Sequence, residues 1–265
     1  MVPALAVAQF APGSDRDANL TTMRGLAEIA AHRGATLIVF PEYSSYFTPT
    51  MGPDWMSAAE PVDGPFALGL AAIAAEFGLT VVAGMLESVG DKASNTVIAV
   101  ASDGIRLASY RKLHLYDAFG SKESDWIVPG AHGTPETFAW GGFTVGLQTC
   151  YDVRFPEVTR TLVDAGADLV LVPAEWVRGP LKEFHWRTLL TARAIENTIY
   201  IAAADHAPPI GAGNSMVLDP MGVELATIGE ATDVAVAWPE PLRIETVRQT
   251  NPALRLRRFG TTPTL

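Results

Sequence analysis

Short apolar runs alternate along the chain with stretches whose apolar residues recur at helical spacing. Ala4 to Phe10 is nearly continuous in apolar residues, the pattern of a strand buried on both faces. Asp17 to Arg33 brings Leu20, Met23, Leu26 or Ala27, and Ala30 onto one face. This predicts an amphipathic helix, with Gly34 as its stop. Thr36 to Phe40 is a β-rich run that ends at Pro41. The rhythm returns as a helix over 65–77, a strand over 79–85, a helix over 156–165 and a strand over 168–172. Such alternation predicts an α/β fold with helices covering sheets.

The two halves of the chain echo each other in order. RGATLIVFPEY (33–43) is matched by AGADLVLVPAEW (165–176), and LTVVAG (79–84) by TIYIAA (198–203). SNTVIAVASDGIRLASY (94–110) is matched by GNSMVLDPMGVELATI (213–228). Either all βα units share this much likeness, or the chain is built from two pseudo-symmetric halves. No linker rich in Pro, Gly or Ser separates them, so the second reading predicts one domain over 1–265.

Composition narrows the class. Hydrophobic residues make up 48% and charged residues 18%, enough apolar material for a buried core and too much for disorder. The net charge of -10 makes nucleic acid or an anionic membrane surface a repulsive partner. No apolar run approaches the roughly 18–20 residues of a membrane span, and the apolar N-terminal segment lacks the basic start of a signal peptide. The one cysteine, Cys150, leaves no intrachain disulfide. Together these features predict a cytoplasmic protein.

Cys150 follows the apolar run 143–149, with Pro156 opening a helix beyond it. That junction presents a side chain at a sheet end; a lone cysteine is otherwise a small buried hydrophobe. Glu42 stands just past the strand before Pro41, where α/β folds place catalytic groups, although a loop Glu commonly just faces water. Lys112 closes another alternating run, and Glu123 lies in a polar loop; each alone reads as a solvated charge. A phosphatase-type loop needs an Arg where this chain has Pro156, no glycine-rich phosphate cradle precedes a helix, and the five His show no metal-ligand spacing. A Cys–His pair with His114 or His185 stays open at this point.

Four segments in order change this picture: FPEY (40–43), YRKLHLYD (110–117), ESDWIVPG (123–130) and CYDVRFPE (150–157). With GNSMVLDPMG (213–222), they resemble the carbon–nitrogen hydrolases, the nitrilase-like superfamily, and within it the Nit-type amidases. The resemblance implies a four-layer α-β-β-α sandwich and self-association as at least a homodimer through helices beside the site. It makes Glu42 the general base, Lys112 the oxyanion binder, Cys150 the nucleophile and Glu123 the residue that positions Lys112 and substrate. Tyr151 is expected to lend its backbone N–H to the oxyanion, and Lys112 to lower the thiol pKa. No cofactor or metal is implied.

Trp176 falls on the pocket-lining stretch, where a buried sheet-edge aromatic is the other reading. Glu175 departs from the small residue that the resemblance leads one to expect. Arg154 and Glu157 read as ion-pair or interface residues. Tyr151-Asp152 replaces the Trp-Glu that typically follows a nitrilase cysteine, which favours amides over nitriles. The expected activity is hydrolysis of a small linear carboxamide, such as a 2-oxo acid ω-amide or deaminated glutathione. The alternatives are nitrile or N-carbamoyl hydrolysis, or a non-catalytic binding protein on the same scaffold.

Overall fold

In the computed structural model, which describes residues 3–262, the first apolar run is β1 (Leu5–Gln9), followed by α1 (Arg16–His32). The Asp15 side chain accepts the N–H groups of Asp17 and Ala18, satisfying donors that a helix start leaves free. Next come β2 (Leu37–Val39), a short α2 (Pro53–Ala58), α3 (Pro65–Phe77) and three strands: β3 (Thr80–Val89), β4 (Lys92–Val100) and β5 (Arg106–Arg111). The second half runs β6 (Thr137–Trp140), β7 (Phe143–Leu147), α4 (Pro156–Asp164), β8 (Leu169–Pro173), α5 (Lys182–Asn197) and β9 (Tyr200–Ala204). It ends with β10 (Met216–Leu218), β11 (Glu224–Thr227), β12 (Asp233–Ala237) and α6 (Pro241–Thr250).

The strands form two six-stranded sheets, ordered β12-β1-β2-β3-β4-β5 and β6-β7-β8-β9-β10-β11. Reading both in those orders, the pairings are antiparallel, parallel, parallel, antiparallel and antiparallel in each. The sequence echoes therefore fall on equivalent strands, and the molecule is a sandwich of two like halves.

Alternation along the central strands explains the four layers. Leu5, Val7, Leu37 and Val39 meet Leu147, Leu169 and Leu171 between the sheets. Ala6, Ala8, Ile38 and Phe40 point the other way, onto Met23 and Ala27 of α1 and Phe66 and Leu70 of α3. Val170 and Val172 likewise meet Leu162 of α4 and Trp186 and Leu190 of α5. Each fully buried Val, Leu, Ile, Phe or Met among them contributes about 1.5–3 kcal/mol. With both faces covered, the strand ends are the places left for polar chemistry. No helix among the described residues is long and apolar enough to cross a membrane.

Candidate active site

Four strand ends converge. Glu42 follows β2, Lys112 follows β5, Cys150 follows β7 and Glu175 follows β8. Cys150 starts a 3-10 turn (Cys150–Arg154) with a φ of 42°, a left-handed conformation that costs a non-glycine residue of order 1–3 kcal/mol. Tyr43, beside Glu42, has a φ of 53°. Gly84 of β3 permits the close approach there, since a Cβ at that position would lie 2.6 Å from Glu42 Cα. The backbone is thus bent sharply at both Cys150 and Glu42.

Glu42, Lys112 and Glu123 form a buried charged cluster. Lys112 Nζ donates to Glu42 Oε1 at 3.0 Å and to Glu123 Oε2 at 2.9 Å, and all three side chains are at most 3% exposed. Asn95 Nδ2 donates to the same Glu42 oxygen at 2.5 Å and to Glu123 Oε1 at 3.1 Å. Tyr43 Oη and the Tyr116 N–H also donate to Glu123. The Glu175 N–H donates to Glu42 Oε2 at 2.6 Å. Burial opposes the Lys112 charge, but Glu123, Glu42 and the nearby thiol outweigh it and raise its pKa well above the usual value. Burial also disfavours the Glu123 charge; Lys112 and the two tyrosine donors prevail and hold it ionised.

Lys112 acts on the thiol in the expected direction, but the influences opposing it are larger. Burial, reinforced by the Glu42 charge, pushes the Cys150 pKa well up, and Lys112 only partly offsets them. At neutral pH the group is therefore a thiol, donating from Sγ to the Glu175 carbonyl at 3.4 Å. It becomes a nucleophile only if its proton is taken as it reacts. His114 does not serve: its Nδ1 is 2.9 Å from Asp152 Oδ1 and its ring stacks on Phe155. His185 is not a hydrogen-bond partner of the thiol either.

Trp176 is buried, with Nε1 donating to the Lys182 carbonyl. The Tyr151 ring packs edge-on against Tyr116 and Phe155. No carboxylate pairs with Arg154 among the described residues, so the ion-pair half of its expectation is not met. Its Nε and one Nη are shielded and unpartnered, and its guanidinium lies 4.8 Å from the Trp176 ring. Lys182, 7% exposed, donates to Tyr116 Oη and sits over the rings of Tyr116, Phe119 and Trp176. Glu157 is exposed in the first turn of α4.

Sequence reasoning missed four contributors. Asn95 bridges two carboxylates, and its recurrence as Asn214 in the echo was the available signal. Asp152 ties the Cys150 turn to the Lys112 strand through Tyr110 Oη (2.7 Å), the His114 N–H (3.0 Å) and the Thr149 N–H (3.3 Å). His206, fully buried, lies with Nε2 2.6 Å from the Glu42 carbonyl, and burial takes its pKa down to about 4, so the neutral ring donates there. Lys182 sits in an amphipathic helix and carried no local mark.

Comparison with known proteins agrees with this geometry. The family model for carbon–nitrogen hydrolases matches residues 4–249. A deaminated glutathione amidase of Escherichia coli O157:H7 is 36% identical over 257 residues, covering 97% of both chains. A hydrolase of Mycobacterium tuberculosis is 39% identical over 250 residues, covering 88% of both. A double mutant of the amidase from Nesterenkonia sp. AN1, solved in complex with acrylamide, superposes with a TM-score of 0.81 at 28% identity, covering 97% of this chain and 94% of that one. A match over nearly the whole sequence, on a sandwich of this topology, leaves one conclusion: the chain belongs to the carbon–nitrogen hydrolase family and is a hydrolase of carbon–nitrogen bonds other than peptide bonds.

Proposed function

We propose that the enzyme is an amidase that hydrolyses a small linear carboxamide bearing a carboxylate, through a thioester on Cys150. The observation that carries this reading is the buried Glu42–Lys112–Glu123 cluster beside the thiol. Glu42 takes the Sγ proton as sulfur attacks the carbonyl carbon. Lys112 and the Tyr151 N–H stabilise the oxyanion that develops. Collapse breaks the C–N bond, and Glu42 returns the proton to the departing ammonia or amine. Water, deprotonated by Glu42, then cleaves the thioester and regenerates the thiol. Glu123 holds Lys112 and the substrate in place.

The carboxylate preference is supported by the half-buried Arg154 and the buried Lys182, two cations with no acidic partner among the described residues. Like charges left unpaired in a recess are costly until an anion arrives. The relatives named deaminated glutathione amidase make that compound and 2-oxo acid ω-amides the first substrates to try. Ammonia release from a panel of aliphatic amides, with and without a carboxylate, tests the reading. Turnover by the wild type and none by Cys150→Ala is expected; equal turnover by both would exclude the thioester.

The reading extends to a single-domain chain working as a homodimer or larger oligomer in the cytoplasm. Light scattering should give at least twice 28.3 kDa.

A further inference from the structure

This inference rests on the amidase reading and narrows its substrate. Glu175 is the residue that departs from the pattern the sequence resembles. Its backbone is fully engaged at the reacting centre: the N–H serves Glu42 and the carbonyl accepts from the Cys150 thiol. Its side chain is not. Glu175 Oε1 is shielded from solvent and has no hydrogen-bond partner among the described residues. The carboxyl feels the charges of Glu42, Lys112, Glu123 and Lys182.

A second carboxyl repeats the anomaly. Asp205, wholly buried after β9, accepts the Trp176 N–H with Oδ1 at 2.6 Å, while Oδ2 has no partner. Its charge, like that of Glu175, reaches both the thiol and Lys182. Burial, with neighbouring carboxylates, pushes both acids well above the usual range, so each is expected to be protonated in the unliganded site.

Lys182 therefore feels the charges of Arg154, Glu175 and Asp205 while forming an ion pair with neither carboxyl. Neither Arg154 nor Lys182 comes within the 4.0 Å of an ion pair with Glu175 or Asp205. Cations and ionisable acids, held apart beside the nucleophile, are the complement of a molecule that carries both signs itself. We propose that Glu175, assisted by Asp205, is a specificity-determining subsite for a substrate ammonium, and that the enzyme prefers ω-carboxamides of free α-amino acids to those of 2-oxo acids. In such a substrate the carboxylate meets Arg154 and Lys182, and the ammonium meets Glu175, which gives up its proton to solvent as the pair forms. A 2-oxo group accepts only from the protonated Glu175 carboxyl, a neutral hydrogen bond weaker than the charge-assisted pair that an ammonium makes with the carboxylate.

The test compares glutamine and asparagine with their 2-oxo counterparts by ammonia release, in the wild type, Glu175→Gln and Glu175→Ala. Gln fills the same space and can donate to an oxo group, but cannot pair with an ammonium. The wild type should favour the amino substrates in kcat/KM. Glu175→Gln should lower the amino-to-oxo ratio by about 10–100-fold, mainly through KM, and Glu175→Ala should lower it too, with melting temperatures verifying the fold. A wild type that favours the oxo substrates, or a ratio unmoved in both variants, overturns the inference and leaves the amidase reading standing. If no amide of any kind is hydrolysed and no acyl adduct forms on Cys150 by intact mass, the amidase reading itself falls, and this inference with it.

Discussion

Glu42 and Glu175 close the equivalent strands β2 and β8, in LIVFPEY and LVLVPAEW, yet they occupy opposite electrical situations. Glu42 receives Asn95 Nδ2, Lys112 Nζ and the Glu175 N–H. The Glu175 carboxyl has one shielded oxygen with no donor at all, and burial with the Glu42 charge drives its pKa up. One strand end thus holds a carboxyl group among donors, and the matching end holds one without them. Position in the fold sets where a carboxyl stands. The donors converging on it set what it can do, and here they come from β4 and the segment after β5, whose counterparts Asn214 and Ile228 do not supply them.

The severest break of this contrast is Cys150→Ala, which removes the group that both glutamates flank. Turnover should fall to background while the melting temperature stays near wild type, since the lost side chain is small. Iodoacetamide should add once to the wild type, by intact mass, and not to the variant. Glu42→Gln keeps the shape but cannot accept a proton, so kcat should drop about 10²–10⁴-fold. A near-normal kcat would mean that the donor-rich end is not the base.

His206→Gln examines the backbone beneath Glu42. In the folded protein His206 titrates at about 4, below its ordinary 6.5. As pH falls from 6.5 the unfolded chain takes up the proton first. Stability is therefore whole above 6.5 and drains away toward 4, by about 3 kcal/mol in total. Gln retains a donor for the Glu42 carbonyl and does not titrate, so its melting temperature should vary less over that window. An identical pH slope in both proteins would remove His206 from the account. The mildest effect is expected of Glu123→Gln, about tenfold and partly in KM, because Asn95, Glu42 and Lys112 still hold one another. If this variant is the inactive one and Glu42→Gln is not, the two carboxylates have exchanged roles.

Much of this was legible in the sequence because it repeats. The match of 33–43 to 165–176 foretold two equivalent parallel strands, and their near-continuous apolar runs foretold coverage on both faces. Glu42, Lys112, Glu123 and Cys150 were marked by the order of their segments, and the structure gathers the first three within hydrogen-bonding range and sets Cys150 within reach of their charge. What stayed hidden depends on distance in space. No periodicity tells that Asn95 will meet two glutamates, that His206 will reach back to residue 42, or that Lys182 and Arg154 will both lie against the Trp176 ring. The sequence pointed to the cation that lowers the thiol pKa, while the burial and the Glu42 charge that exceed it are properties of the packed site.

β12 joins the first sheet at β1, pairing Leu5 with Ala237 and Gln9 with Asp233. The chain is synthesised from the other end, so β1 emerges from the ribosome long before its outer neighbour exists. Until residues 233–237 follow, the first sheet presents an apolar strand with an open edge, a template for mispairing with another copy. The second sheet has no such delay, since β6 immediately precedes β7. The first-made half of this enzyme is therefore the last to be finished, and the nascent chain's exposure to aggregation is concentrated there.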